Sequence, residues 1–375
     1  MKRRPFIKQL IQISGGTLMA SQLPMLYSCM PANGSKKLGI ALVGLGNYSN
    51  GQLGPALLET EHCYLAGIVT GTKEKESVWA KKYNIKEDNI YNYDNFDSIV
   101  DNDDIDIIYV VLPNSMHAEY TIRAAKAGKH VICEKPMAVS VKECESMIAA
   151  CKDAGKRLAI GYRLHYDPFH DAVMKLGQNK TYGDFNTTAD FAFALKDPKR
   201  WRTQKAMAGG GPLMDLGVYC LQSSIYSFGE LPTSLWAKNI TEDNEFFKDI
   251  EGSLEWEMTF PSGKSYCKTS YERDLAAEHK LTTKKGDVAL SNAYFYGGLR
   301  GTTPDGNMDF KTVNQQAKQM DAFALNVLNG TKSLVPGEMG LRDNYLIEKI
   351  YESAGNDGAV VTLENIPKVL DIRRS

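Results

Sequence analysis

Three side chains in this chain of 375 residues have the types and the spacing of an acid/base group. Asp215 and Tyr219 are four residues apart, and Pro212 suits the first turn of a helix, so we expect the carboxylate and the phenol to share one helical face. Lys135 stands in Glu134-Lys135-Pro136, which directly follows the short apolar run His130–Cys133, typical of a buried strand. A carboxylate, a phenol and an ammonium held together can take a proton from a hydroxyl while a hydride leaves the same carbon.

A phenol that acts near neutral pH needs a positive charge beside it, because tyrosine ordinarily ionises at about pH 10. Lys135 is predicted to supply that charge and to hydrogen-bond the reacting hydroxyl. The glycines Gly209–Gly211 precede the predicted helix, and we expect them to let the backbone close upon a ligand. The alternative is that Asp215 only caps the helix and Tyr219 fills a core.

A dinucleotide cradle is predicted between Leu38 and Ser49, where the sequence is LGIALVGLGNYS. Gly44 permits a tight turn from strand to helix, Gly46 lets the backbone approach a pyrophosphate, and the small Ser49 lets the helix pack against the strand. Free N–H groups at the helix start then meet the phosphate oxygens. The alternative is a glycine-rich turn that binds no ligand.

Strands and helices alternate around this cradle. After the first strand, the predicted strands are Tyr64–Val69, Asp106–Leu112 and His130–Cys133, and the predicted helices are Pro55–Glu61, Glu76–Tyr83, Met116–Ala127 and Val141–Ala154. The alternation predicts an α/β fold with a doubly wound parallel sheet of the Rossmann type, whose ligands lie at the carboxyl ends of the strands.

The end of the second strand indicates which dinucleotide binds. An NAD site presents Asp or Glu there to hold the ribose hydroxyls, whereas this chain has the run Thr70-Gly71-Thr72-Lys73-Glu74-Lys75, with no acid at the turn itself. A hydroxyl, small residues and a nearby ammonium suit a 2′-phosphate, so NADP is predicted rather than NAD. The alternative is that the two lysines only solvate the start of a helix.

Charge and length exclude some classes of function. The chain has 44 Lys and Arg against 45 Asp and Glu, a formal net charge of −1. It therefore has no excess of positive charge that would attract nucleic acid or an anionic membrane surface. We expect a small substrate without strong charge, and the length suggests two domains. Seven cysteines are scattered without paired spacing, and His165 and His170 have no carboxylate or thiol that completes a ligand set, so no metal site is predicted.

The first 29 residues are predicted to be an export signal. Paired arginines stand in the run Lys2-Arg3-Arg4-Pro5-Phe6-Ile7-Lys8, before the apolar stretch Leu10–Leu26, and this pattern resembles a twin-arginine signal. Leu26-Tyr27-Ser28-Cys29 also resembles a lipoprotein cleavage site, which predicts membrane attachment through a lipid on Cys29, with simple cleavage as the alternative. A basic helix that stays attached is the other alternative to export.

Several long stretches in order resemble the glucose-fructose oxidoreductase and inositol dehydrogenase (Gfo/Idh/MocA) family of NAD(P)-dependent sugar enzymes. They are VGLGNYS, TGTKEK, LPNSMHAEYTIRAAKAGKHVICEKPMA, IGYRLHYDP, the Trp201-Arg202 pair and AGGGPLMDLGVYCL. The chain is most similar to the glucose-fructose oxidoreductase branch, because Tyr219 stands where inositol dehydrogenase relatives more often have histidine. The resemblance implies that this protein forms a homo-oligomer, either a dimer or a tetramer.

The resemblance implies roles for individual residues. Lys135, Asp215 and Tyr219 match the catalytic positions, with Tyr219 as acid/base and the other two orienting the sugar, and Tyr162 joins these three in the substrate site. The implied cofactor-binding residues are Gly44, Gly46, Asn47, Tyr48, Thr70, Gly71, Lys75, Pro113, Asn114, His117, Glu134, Lys135, Arg163, Trp201 and Arg202.

The resemblance also implies the domains: a Rossmann domain over residues 37–160 and, over residues 161–375, an α+β domain with a large open, mainly antiparallel sheet. Alternating patterns agree with strands at Phe185–Leu195, Leu235–Thr241, Gly252–Phe260 and Ser265–Tyr271, with a hairpin turn at Pro261–Lys264. The helical pattern of Asn314–Leu328 is expected to pack beside the Rossmann domain.

The chain departs from glucose-fructose oxidoreductase before the first strand. That branch carries a long proline-rich arm there, whereas here only Met30–Lys37 separate Cys29 from the strand, which puts the tetramer and permanent NADP retention in doubt. We expect an exported enzyme that oxidises an aldose to a lactone and passes the hydride to a second sugar through bound NADP. The alternatives are a glycoside-cleaving enzyme that oxidises its sugar transiently, and a noncatalytic sugar-binding relative.

Overall fold

The computed structural model describes residues 36–369. The paired arginines and Cys29 lie outside this range, so it does not test export or lipidation. Within this range, no helix combines the length and the apolar character needed to cross a bilayer.

Six parallel strands form the first sheet: β1 (Leu38–Val43), β2 (Cys63–Val69), β3 (Ile90–Tyr91), β4 (Ile107–Val110), β5 (His130–Cys133) and β6 (Leu158–Ile160). Their order is β3-β2-β1-β4-β5-β6. Strands β1 and β4 are buried along their whole length, as expected of apolar runs covered on both faces. The strand order reverses between β1 and β4, so a ligand crevice lies at their carboxyl ends, and the predicted doubly wound sheet is confirmed.

Helices α1 (Gly54–Ala56), α2 (Lys73–Tyr83), α3 (His117–Lys126) and α4 (Val141–Asp153) accompany this sheet. The helix predicted at 55–61 is wrong: a π-helical turn, Ser49–Leu53, precedes α1, and helical structure ends at Ala56. The Thr60 hydroxyl donates to the carbonyls of Leu57 (2.9 Å) and Cys63 (2.8 Å), and such local bonds compete with helix. Helix α2 begins three residues before its predicted start.

The second sheet has nine strands: β7 (Phe185–Ala192), β8 (Ser234–Asn239), β9 (Ser253–Phe260), β10 (Gly263–Ser270), β11 (Ala276–Thr283), β12 (Gly286–Ser291), β13 (Arg300–Thr303), β14 (Gly306–Asn307) and β15 (Val361–Thr362). Their order is β14-β13-β12-β11-β7-β10-β9-β8-β15, and only β7 and β10 pair in parallel. The mainly antiparallel sheet is thus confirmed. Phe260 pairs with Gly263, which places the predicted hairpin turn between β9 and β10.

Five helices belong to the second half: α5 (Pro168–Gln178), α6 (Lys205–Ala208), α7 (Val218–Phe228), α8 (Gln315–Asn329) and α9 (Gly337–Ala354). Helix α7 packs on one face of the nine-stranded sheet. Asp321 on α8 accepts hydrogen bonds from the backbone N–H groups of Glu61 (3.0 Å) and His62 (2.8 Å), which places α8 beside the first sheet, as predicted. The buried apolar side chains of both sheets form one continuous cluster.

Candidate active site

The predicted catalytic lysine and carboxylate meet at the carboxyl edge of the first sheet. Lys135 follows β5, and its Nζ donates to Oδ1 of Asp215 over 3.0 Å and to the Asp215 carbonyl oxygen over 2.9 Å. Both side chains are mostly buried. The structure therefore brings together two residues that are 80 positions apart in the sequence.

The Asp215 carboxylate also binds two residues on its other oxygen. Oδ2 accepts from Nε of Arg202 over 2.8 Å and from the hydroxyl of Tyr271 over 2.9 Å. Burial alone would raise the pKa of Asp215, but Arg202 and Lys135 outweigh burial and hold the pKa well below its usual range. The carboxylate is thus held ionised, and it fixes two cations in place.

The segment that carries Asp215 is a π-helical turn, Leu213–Gly217, which continues directly into α7. A π-helical turn is wider than an α-helical turn, and such turns are frequent at functional sites. Tyr219 lies in the first turn of α7, with its ring centroid 4.9 Å from Nζ of Lys135. Asp215 and Tyr219 therefore both face Lys135, although the helix between them is irregular.

A second cation flanks Tyr219. The guanidinium carbon of Arg163 lies 5.3 Å from the centroid of the Tyr219 ring. Arg163 is fully buried and donates to the backbone carbonyls of Tyr294 (2.6 Å) and Phe295 (3.1 Å) and to the side chain of Gln315. Two fixed cations beside one phenol attract negative charge that develops on its oxygen, which suits proton transfer from a hydroxyl.

The three glycines before this helix do not close upon a ligand, and that prediction is corrected. A Cβ atom on Gly210 would lie 2.0 Å from the Tyr351 hydroxyl, and one on Gly211 would lie 2.1 Å from the backbone oxygen of Glu251. The Glu251 carboxylate accepts from the N–H groups of Gly211 (3.0 Å) and Leu213 (3.1 Å) and from the Tyr351 hydroxyl (2.9 Å). The glycines make room for a buried carboxylate that caps the start of the helical segment.

The predicted cradle has the geometry that a dinucleotide needs. Gly44 has a φ of +96°, and a Cβ atom there would lie 2.4 Å from the carbonyl oxygen of Val111. Ser49 is buried and donates to the Gly44 carbonyl over 2.6 Å. A Cβ atom on Gly46 would meet nothing within 4 Å, and Asn47 beside it is exposed. The space in front of Gly46 fits a pyrophosphate held by backbone N–H groups.

The two glycines are expected to respond differently to substitution by alanine. Gly44→Ala places a side chain at a positive φ against a carbonyl, so we expect a loss of about 1–3 kcal/mol of unfolding free energy. Gly46→Ala fills the space for the pyrophosphate without a clash, so we expect a loss of about tenfold or more in dinucleotide affinity at an unchanged melting temperature. Calorimetric titration and thermal melts measure the two effects. Equal affinity in Gly46→Ala and wild type would remove the cradle from the dinucleotide site.

The turn after β2 places a lysine at the edge of this cradle. Nζ of Lys75 donates to the carbonyl oxygen of Leu45 over 2.9 Å. Thr70 is buried, and its Oγ1 accepts from the N–H of Thr72 over 3.2 Å, while Gly71 is exposed at the same turn. The ammonium of Lys75 is therefore held next to the cradle, which disfavours the alternative that it only solvates a helix start.

Some of the predicted cofactor-binding residues already have protein partners. The Asn114 side chain, next to Pro113, donates to the carbonyl of Ala208 over 2.8 Å. The two ring nitrogens of His117 each lie 2.9 Å from a backbone carbonyl, those of Pro136 and Leu112. These contacts tie the loop after β4 to α6 and to the loop after β5. Contact of these residues with the cofactor stays a prediction.

Glu134 and the Trp201-Arg202 pair also lie near the carboxyl edge of the first sheet. The Glu134 carboxylate accepts from the Tyr109 hydroxyl over 2.7 Å, and burial raises its pKa. A Cβ atom on Gly161 would lie 2.6 Å from that carboxylate, so the glycine leaves room for it. The guanidinium of Arg202 lies 4.5 Å from the centroid of the Trp201 ring.

Contact of Tyr162 with substrate stays a prediction. Tyr162 is buried, and burial and the Asp343 carboxylate raise the pKa of its phenol. Asp343 is held by Arg342 over 2.8 Å and by Gln222, and Tyr162 lines a small cavity together with Tyr219 and Gln222. Its neighbour in sequence, Arg163, contacts the Tyr219 ring.

Two residues of the site were not found from the sequence: Tyr271 and Gln315. Tyr271 was assigned to the end of a strand and Gln315 to the start of a helix, without roles. Tyr296 stands in the run Tyr294-Phe295-Tyr296-Gly297-Gly298, within the stretch 272–310, where similarity to the family is weaker and which is therefore predicted to shape the sugar pocket.

Comparison with known proteins identifies the family. The model of an oxidoreductase family with an NAD-binding Rossmann fold matches residues 38–162, and the model of the GFO/IDH/MocA C-terminal domain matches residues 176–274. The chain belongs to the Gfo/Idh/MocA oxidoreductase family. The family predicted from the sequence is confirmed, and its Rossmann domain supports a nicotinamide dinucleotide as the cofactor.

Several members of the Gfo/Idh/MocA family are similar over most of the chain. The crystal structure of aldose-aldose oxidoreductase from Caulobacter crescentus, complexed with glycerol, is 37% identical, has a TM-score of 0.84, and matches over 88% of this chain and 100% of its own. D-xylose 1-dehydrogenase [NADP(+)] of Haloarcula marismortui is 27% identical over 85% of this chain and 92% of its own length. D-glucoside 3-dehydrogenase of Escherichia coli is 24% identical over 66% and 77%.

Proposed function

We propose that this protein is an exported, NADP-dependent sugar oxidoreductase that oxidises an aldose to its lactone and reduces a second sugar in the same site. The observation that carries the proposal is the cluster of Lys135, Asp215 and Tyr219, flanked by Arg163, at the sheet edge where the dinucleotide cradle opens. The names of two similar proteins, an aldose-aldose oxidoreductase and an NADP-linked xylose dehydrogenase, support sugars as substrates.

Each side chain of the cluster has a defined task in this reaction. Lys135 donates a hydrogen bond to the reacting sugar hydroxyl, and Tyr219 takes the proton of that hydroxyl as the carbon is oxidised. Asp215 stays ionised and fixes Lys135 and Arg202. Bound NADP supplies the electron acceptor for the first sugar and the electron donor for the second. For the second sugar, Tyr219 returns the proton to the carbonyl oxygen.

NADP is favoured over NAD by the turn after β2. That turn offers the Lys75 ammonium, held 2.9 Å from the Leu45 carbonyl, and no carboxylate directly after the strand. A 2′-phosphate needs such a cation, whereas the ribose hydroxyls of NAD are usually held by an acid.

The location and assembly of the protein are part of the proposal. The arginine pair in the run Lys2–Lys8 supports export by a twin-arginine route, and Cys29 is the proposed site of a lipid anchor at the cell envelope. A twin-arginine route carries folded proteins, which agrees with an enzyme that leaves the cytoplasm with its dinucleotide bound. We expect a homo-oligomer.

Identification of the dinucleotide that stays bound to the protein when it is purified from cells tests this function. Protein purified without added cofactor and then denatured is expected to release one equivalent of NADP, identified by absorbance and mass. Native protein is expected to gain the absorbance of the reduced nicotinamide on addition of an aldose and to lose it on addition of a second sugar. An empty protein that binds NAD or nothing would contradict the sugar-to-sugar exchange. Release of free sugar from a glycoside without net redox would support the glycoside-cleaving alternative.

A further inference from the structure

Tyr296 is an aromatic residue at the mouth of the candidate site. It lies between β12 and β13, and it is 49% exposed, although its neighbour Tyr294 is fully buried. The Tyr296 ring centroid lies 5.7 Å from that of Tyr48, which belongs to the cradle, and 4.6 Å from the guanidinium of Arg163. An exposed ring between the cradle and the acid/base cluster is placed to contact whatever binds there.

The phenol of Tyr296 interacts with several groups of the candidate site. Burial, followed by the nearby Tyr219, raises the pKa of its phenol to about 12. Lys135 and Arg202 also interact electrostatically with this phenol. The phenol of Tyr296 therefore has Tyr219, Lys135 and Arg202 among the groups that interact with it.

The segment that carries Tyr296 is fixed at both sides. Arg163 donates to the carbonyls of Tyr294 and Phe295 on one side. On the other side, the side chain of Asn292 donates to the carbonyl of Gly298 over 3.0 Å and closes the loop. Because Arg163 contacts the rings of both Tyr219 and Tyr296, the distance between these two tyrosines is set by one buried side chain.

We infer that Tyr296 is a sugar-recognition residue: its ring receives the apolar C–H face of a pyranose, and its hydroxyl binds a sugar hydroxyl next to the one that Tyr219 deprotonates. This inference rests on the proposed function. A tyrosine offers an apolar body and a polar tip, which match the two kinds of surface that a pyranose presents. The guanidinium of Arg163 contacts the rings of both Tyr296 and Tyr219, so Tyr296 lies beside the acid/base cluster as well as the cradle, which favours the sugar over the dinucleotide as the ligand.

Two substitutions separate the ring from the hydroxyl. Tyr296→Ala is expected to raise the KM for the aldose about tenfold or more, because the aromatic ring that contacts the sugar is lost. The acid/base cluster is unchanged, so kcat is expected to change less than about threefold. Tyr296→Phe keeps the ring and is expected to raise KM by a smaller factor. Tyr64→Ala on β2 is the matched control, because Tyr64 is 40% exposed, has an exposed ring and lies outside the site.

The measurements are steady-state kinetics with a series of aldoses, the content of bound dinucleotide, and the melting temperature of each variant. An unchanged KM in Tyr296→Ala beside an active wild type would overturn the role of Tyr296 alone. If Tyr296→Ala loses its bound dinucleotide but has a normal KM for the sugar once NADP is supplied, the sugar-recognition role would be overturned, and Tyr296 would instead help to retain the cofactor. A wild type that oxidises no sugar while loaded with NADP would overturn the proposed function itself.

Discussion

Tyr219→Phe is expected to lower kcat by about 10²–10⁴-fold while the protein keeps its fold and its dinucleotide. The substitution removes only the hydroxyl oxygen that exchanges the proton. The ring contacts of Tyr219 with Phe191 (5.5 Å between centroids) and Tyr294 (5.8 Å) stay available to phenylalanine, so the packing of α7 is preserved. Sugar-dependent reduction of the bound dinucleotide in a single turnover measures the effect directly.

Tyr266→Phe is the matched control for this experiment. It makes the same chemical change on β10, where the Tyr266 hydroxyl donates to Glu255 over 2.5 Å outside the candidate site. We expect wild-type turnover from this control. Retained turnover in Tyr219→Phe would assign the proton transfer to another group, and unchanged sugar binding without any turnover in wild type would support a noncatalytic protein.

The first sheet and the meeting of Lys135 with Asp215 could be predicted from the sequence. Each strand of a doubly wound sheet ends at the same edge, so Lys135, two residues after β5, is expected at the edge where the cradle after β1 lies. The resemblance to a known family then added Arg163 and Arg202, which spacing alone does not place at the site.

The contacts made by the second sheet could not be predicted in the same way. Tyr271 reaches Asp215 because β10 runs parallel to β7 in the middle of a nine-stranded sheet, and neither the strand order nor the register is visible in the pattern of alternation. Arg163 depends on carbonyls 131 and 132 positions away.

The glycines Gly209–Gly211 show a further limit of motif-based inference. A glycine in a sequence can indicate a position where a side chain would not fit, but it does not indicate which group occupies that space. Here the space at Gly210 and Gly211 is taken by Tyr351 and Glu251, which come from distant parts of the chain. At Gly46, by contrast, no protein atom lies within 4 Å of an added Cβ, which agrees with a space for a ligand.

Asp215→Ala is expected to reduce the free energy of unfolding by about 3–5 kcal/mol, as well as the activity, because it leaves the buried Lys135 ammonium without its anion and removes the partner of Arg202. Asp190→Ala is the matched control. It breaks an ion pair between Asp190 and Arg273 that is more exposed, so we expect a loss of about 0–1 kcal/mol. Urea unfolding of the three proteins measures the difference. Equal losses in both variants would show that the Asp215 cluster does not stabilise the fold.

The pH dependence of this difference follows from the directions of the two pKa shifts. The pKa of Asp215 is held below its unfolded value of about 3.9, so its contribution is present above that value and is lost only as the pH falls through the lower folded pKa. Burial would lower the pKa of Lys135, but Tyr219 and Asp215 raise it above its unfolded value of about 10.4, so its contribution is present below that value. The stability difference between wild type and Asp215→Ala should therefore stay constant from about pH 5 to about pH 9. A difference that shrinks between about pH 7 and pH 5 would mean that the carboxylate takes up a proton in the folded protein, and Asp215 would then be a candidate for the acid/base role assigned to Tyr219.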